Sequence, residues 1–155
     1  MSERIEKLVA RLEKGQLKMD ELFHALAAEE WDATLYVEPY RWSVRDLAAH
    51  LLSAEEGLLR IAQDIAAGGS GAPQGFDYNG FNAQEQQRLA GIPPQALLEG
   101  LRAARRQTVD WVKTLDETAL EREGHHPALG TVKLEVLINA IYGHQLMHAR
   151  DLKGA

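Results

Sequence analysis

Apolar residues recur at three- and four-residue spacing over most of this chain, the period of helices that bury one face. From Ser2 to Glu30, the positions Ile5, Leu8, Leu12, Met19, Leu22 and Leu26 form such a stripe with charges between them, which predicts a first helix. Gly15 interrupts it, at a cost of about 1 kcal/mol relative to alanine, as a point where another helix could come close. Trp31 to Trp42 breaks the period and predicts a loop. It holds Trp31, Tyr36, Tyr40 and Trp42, four of the ten aromatic residues, and Pro39 cannot continue a helix. Such a segment can wall a pocket or plug the end of a bundle.

A second stripe, Leu47, Leu51, Ala54, Leu58, Ile61 and Ile65, runs from Ser43 to about Ala67. Ser43 suits an N-cap, Asp46 supplies a capping-box acid, and Trp42 with Leu47 can form a hydrophobic staple. The run Gly68 to Gly75 is a break. A shorter polar helix is expected over Asn79 to Leu89, before Gly91 and Pro93-Pro94. The third long helix spans Pro94 to Leu115, with Leu97, Leu101, Ala104, Thr108, Trp111 and Leu115 inward. Asp116 to Gly130 reads as turn and loop, and the final helix as Thr131 to about Leu152. With no strand-period segment of useful length and no repeat, the expectation is an all-α four-helix bundle forming one domain, 1–155.

Two histidines lie on the last stripe. At about 100° per residue, Leu137, Ile141, His144 and His148 fall within roughly 60° of one another, so both imidazoles share the core-facing surface. A His-x-x-x-His pair points two rings the same way, which is how one helix supplies two ligands to a metal. With six histidines in the chain, chance alone gives roughly 0.2 such pairs. Two buried imidazoles bonded to neighbours would carry the same pattern, so the pair needs a partner.

His50, about 60° from Leu47 on the flank of the second stripe, supplies one. If the second and last helices are antiparallel neighbours, His50 near the start of one meets His144 and His148 near the end of the other. The Trp31–Trp42 loop then covers that end, and the loop 116–130 belongs to the other. The second and third long helices would run parallel, for which the long 68–92 connection is the required crossover. The topology so predicted is up-down-down-up. His24 has no candidate ligand at i±4 and reads as structural or exposed, and His125 and His126 as surface loop residues at the far end.

Composition narrows the chemistry. The chain has no cysteine, so a metal must be held by histidine, carboxylate or water. A net charge of −6 without a basic stripe argues against nucleic acid as the main partner. The one basic cluster, Arg102, Arg105, Arg106 and Lys113, reads as a solvated helix face. No apolar run approaches the roughly 18 residues of a membrane span, and the start lacks a signal-peptide core, so a cytoplasmic location and no membrane partner are expected.

Three histidines from two helices leave metal positions open, the pattern of a reactive site, where the cation acidifies bound water or thiol. Gln145 stands where a zinc-peptidase helix carries glutamate, so that mechanism is not supported, and no general base is evident on the same faces. Asp46, Tyr142 and Asp151 are candidates to orient an imidazole. Ligand type alone suits zinc, nickel, copper and iron equally.

The segment Trp42-Ser43-Val44-Arg45-Asp46-Leu47-Ala48-Ala49-His50-Leu51, followed by Gly143-His144-Gln145-Leu146-Met147-His148, resembles the DinB/YfiT-like superfamily. The resemblance extends over essentially the whole chain, including the crossover around Asp77 to Leu89 and the Pro-Ala-Leu-Gly-Thr approach to the last helix. It implies an up-down-down-up four-helix bundle, a three-histidine site at His50, His144 and His148 carrying nickel or zinc, and a homodimer. It says less about the reaction. Relatives include thiol-dependent S-transferases using bacillithiol or mycothiol and a mycothiol-dependent maleylpyruvate isomerase.

The functional expectation is a metal-dependent enzyme, a thiol-dependent S-transferase whose small electrophilic substrate lodges near the aromatic loop. The low-molecular-weight thiol would arrive as cosubstrate, since the chain has no cysteine of its own. A metal-dependent hydrolase is the nearest chemical variant. A non-catalytic, stress-related protein that binds a small molecule or a metal is the alternative from another class.

Overall fold

A computed structural model describes residues 1–154. Among the described residues the chain forms five α-helices: α1 (Glu3–His24), α2 (Val44–Ala66), α3 (Tyr78–Arg88), α4 (Pro94–Val112) and α5 (Leu134–Gly154). Three of the four long helices begin at residues suited to start them. Ser2 caps α1 by accepting from the Ile5 amide. At α2 the Ser43 hydroxyl accepts from Asp46 N at 3.1 Å while the Asp46 carboxylate accepts from Ser43 N at 2.9 Å, so two otherwise unpaired amides are satisfied reciprocally. Pro94 opens α4 at a position where its missing N–H is no loss.

The four long helices pack as a bundle in which α1 and α2 each lie against both α4 and α5, while α3, inside the long connection, lies along α2. Two apolar clusters fill it. One joins Ile5, Leu8 and Leu12 to Ile65, Val112 and Leu137; the other joins Met19 and Phe23 to Leu47, Leu51, Leu97 and Leu101.

Between the clusters lies a polar layer that corrects one expectation. Of the four basic residues read as a solvated face, Arg105 turns inward and is 2% exposed. Its Nε donates to Glu55 Oε1 at 2.7 Å and its Nη1 to the Leu12 carbonyl at 2.7 Å, while Thr108 Oγ1 donates to Glu55 Oε2 at 2.8 Å. A buried guanidinium is tolerable because a buried carboxylate and a helix carbonyl meet it at once. Gly15 leaves it room, since a Cβ there would stand 3.3 Å from Arg105 Nη1.

The helix ends also differ from the periodic reading. α1 stops at His24 rather than Glu30, because the chain turns back through a 3-10 turn, Ala28–Asp32, that stacks Trp31 on Phe23 with ring centroids 5.3 Å apart. The aromatic loop contains a short antiparallel ribbon of β1 (Thr34–Tyr36) and β2 (Trp42–Ser43). A hairpin of β3 (Glu123–His126) and β4 (Gly130–Lys133) precedes α5, which therefore starts at Leu134 rather than Thr131. His125 and His126 thus lie in a strand, half-buried, and not in an open loop. Gly71, with φ 83°, packs against β3, where an added Cβ would stand 2.7 Å from the His125 carbonyl oxygen. Among the described residues no helix is long and apolar enough to cross a membrane.

Candidate metal centre

His50 projects from the second turn of α2, and His144 and His148 project from successive turns of α5. Packing α2 against α5 brings the three rings together. The Nε2 atoms of His50 and His148 lie 3.0 and 3.2 Å from Nε2 of His144. Ligand nitrogens that share one ion at about 2.0–2.1 Å are themselves about 2.9–3.4 Å apart, so the donor set fits a single cation. Among the described residues no carboxylate belongs to this cluster.

The protonation pattern suits ligation. Burial pushes His50 down to about 3, helped by the neighbouring His148, and holds His144 well below its ordinary value, with the other histidines adding to the effect. Burial also lowers His148, against the raising influence of Asp151. Near neutral pH the rings are uncharged and offer lone pairs.

A hydroxyl decides which nitrogen of His148 carries the proton. Tyr36 OH lies 2.5 Å from Asp151 Oδ2 and 2.8 Å from His148 Nδ1. A carboxylate only accepts, so the single phenolic proton goes to Asp151 and the phenol oxygen accepts from His148 Nδ1–H. His148 Nε2 is left bare and aimed into the cluster. Burial first, and then the bond to Asp151, push the Tyr36 hydroxyl well above the usual tyrosine range, so it keeps that proton.

The aromatic loop walls the centre. Trp42 stands 4.8 Å from the His50 ring, Tyr40 stacks on Trp42 at 4.8 Å, and Tyr36 meets the His148 ring edge-on. The His50 Nδ1 is buried and has no hydrogen-bond partner. The same loop also covers the end of α1 through Trp31, stacked on Phe23.

Of the three residues expected to orient an imidazole, only Asp151 does so, and through Tyr36. Asp46 caps its own helix, and Tyr142 faces Gly15 across the seam between α1 and α5. Gln145, one residue from His144, is turned about 100° round the helix toward α1 and away from the cluster. Sequence reasoning missed Tyr36, which lies 112 positions from His148; its only signal was membership of the aromatic loop. His24 is exposed at the end of α1 beside Arg102, as expected. Neither it nor His125 nor His126 joins the cluster.

No curated protein matches the chain by sequence. Solved structures share its fold at low identity. YfiT from Bacillus subtilis, described as a probable metal-dependent hydrolase with an unusual four-helix bundle topology, superposes with a TM-score of 0.79 at 16% identity, covering 99% of this chain and 87% of its own. A mycothiol-dependent maleylpyruvate isomerase gives 0.75 at 18% identity, covering 98% of this chain but 63% of that longer one. The colibactin self-resistance protein ClbS, in complex with double-stranded DNA, gives 0.73 at 15% identity, covering 97% and 96%. These likenesses agree on the bundle, and the DinB superfamily model matches residues 6–152, so the chain belongs to the DinB superfamily.

Proposed function

We propose that this chain is a metal-dependent transferase in which His50, His144 and His148 hold a divalent ion, zinc or nickel, and a low-molecular-weight thiol attacks a small electrophile. The observation that carries this reading is the convergence of three uncharged imidazoles on one point, with the lone pair of His148 fixed inward. A divalent cation bound there supplies the charge that deprotonates a thiol near neutral pH. Tyr36 and Asp151 hold the His148 tautomer, while Trp42, packed against both Tyr40 and His50, keeps water away on the α2 side.

One observation favours thiol over water. No carboxylate in the cluster is placed to take a proton from water, whereas a thiol, with an ordinary pKa of about 8.5, needs little help. The chain has no cysteine, so the sulfur must come from a cosubstrate. The mycothiol dependence of one structural relative points the same way. The second reading is a metal-dependent hydrolase with water in the thiol's place, favoured by the description of YfiT.

The reading takes residues 1–155 as one domain with its long helices up, down, down and up. It is supported by the starts of α1 and α5 sharing one apolar cluster with the ends of α2 and α4. A homodimer is what the family resemblance implies. The DNA complex of ClbS bears against excluding nucleic acid as a partner on net charge alone.

Elemental analysis of the purified protein and of His148→Ala tests the ligand set. Stoichiometric metal in the first and its loss in the second are expected. Thiol conjugation is then assayed across a panel of thiols and electrophiles. Turnover supports the transferase; hydrolysis without thiol supports the second reading. Metal-loaded protein that binds a ligand tightly and turns over nothing would make it a binding protein.

A further inference from the structure

The hairpin before α5 runs toward the histidine centre, so His126 does not lie at the far end where the sequence put it. Residues 70–72 run parallel to β3: His125 N donates to the Ser70 carbonyl at 2.8 Å, and Ala72 N to the His125 carbonyl at 2.9 Å. From there the chain passes to Phe76, which packs on Phe81 with ring centroids 5.7 Å apart, and Phe81 lies over Gly57. That segment travels back along α2 from the level of Ile65 to that of Gly57, about two turns short of His50. β3, parallel to it, travels the same way.

Strand alternation turns His126 inward. Positions 124 and 126 share one face of β3, and that face meets α2, since a Cβ on Gly124 would collide with the Ile65 side chain. β3 also touches α5. His126 is half-buried, and its Nδ1 accepts from the Ala128 and Leu129 amides at 3.0 and 3.1 Å. An imidazole that accepts through Nδ1 carries its proton on Nε2, which has no partner among the described residues. Of the three candidate ligands only His144 keeps partial exposure, and His126 is near enough for its charge to be felt there. It stands outside the donor set, across a gap from it.

Given a thiol as nucleophile, the reading proposed above, we propose that His126 receives the electrophile. Its Nε2–H donates to a carbonyl oxygen of a substrate lying between it and His144, and the substrate class is an α,β-unsaturated carbonyl compound. As the thiolate sulfur bonds to the β-carbon, the C=C pair shifts and negative charge gathers on the carbonyl oxygen. The thiol's proton has gone to solvent, and the α-carbon then takes one from water. Burial holds His126 below its ordinary value, so it is a neutral donor near pH 7. A neutral imidazole steadies an oxyanion by hydrogen bonding but gives up its proton poorly. That suits an enolate oxygen, and not an epoxide oxygen that must be protonated.

The test titrates the zinc-loaded full chain with 4-mercaptobutan-2-one and with 1-butanethiol, the same chain without the oxygen. Affinity is read by calorimetry and the His126 Nε2–H by NMR. The ketone should bind about three- to tenfold more tightly, the value of one hydrogen bond, and should alone shift the His126 resonance. His126→Asn keeps an acceptor for the Ala128 and Leu129 amides and removes the Nε2–H. It should erase the preference while leaving the affinity for butanethiol unchanged. A preference that survives His126→Asn, or equal binding of the two thiols to the wild type, overturns the role of His126 and leaves the thiol reading standing. Zinc-loaded protein that binds neither thiol overturns both.

Discussion

Tyr36→Phe removes the oxygen that accepts from His148 Nδ1–H and leaves the ring in place against the imidazole. The tautomer of His148 is then no longer held, and neither is its orientation. Metal affinity should fall about 10- to 100-fold, the usual effect of losing an outer partner, as read by competition with a chromogenic chelator. The metal-free fold should lose about 1–3 kcal/mol, because two hydrogen bonds worth about 0.5–1.5 kcal/mol each, one part-buried and one exposed, go with the hydroxyl. A drop in stability without a drop in affinity would make Tyr36 a packing residue only.

The imidazoles also tie folding to pH. His50 is held at about 3 in the folded metal-free protein, and His144 and His148 are lowered too, against about 6.5 when unfolded. Between those values the unfolded chain binds protons that the folded chain refuses. Stability is therefore complete above about pH 6.5 and declines as pH falls, by up to about 1.4 kcal/mol per pH unit for each histidine. Urea unfolding of the chelated protein from pH 7.5 to 4.5 measures this, and His50→Ala should flatten the decline.

At the scale of elements, local signals were readable because they are local. Ser43 and Asp46 close their capping box within one turn of α2, and nothing distant is needed to form it. Ser43→Ala should cost about 1 kcal/mol in chemical denaturation, with the spectrum of the folded state unchanged. The misplaced boundaries have the opposite cause. Residues Ala25 to Glu30 are compatible with helix, but stacking Trp31 on Phe23 requires the chain to reverse there. Thr131 to Lys133 continue the apolar period of α5, yet they pair with Glu123 to His125 across a hairpin that no short window reveals. A period records which face can be buried, and tertiary pairing decides where the element starts.

At the scale of the whole molecule, the polar layer between the two apolar clusters is the test of how the bundle is held. Glu55→Gln leaves the Arg105 guanidinium buried without its counter-charge and should destabilise by roughly 3–5 kcal/mol in urea unfolding. Adding Arg105→Met to that variant should recover much of the loss, since the stranded charge is then gone.

The amphipathic period of the four long helices, the placing of His144 and His148 one turn apart on a buried face, and the presence of His50 on another such face were determined by the sequence alone. Those features depend on spacing along one helix, which φ and ψ translate directly into geometry. The convergence of the three Nε2 atoms was legible only as a consequence of assuming α2 and α5 to be neighbours. Which hydroxyl orients His148 and why Arg105 points inward were decided only by the tertiary structure. Each depends on side chains from different helices, and a pattern read along one helix carries no information about the surface it will meet.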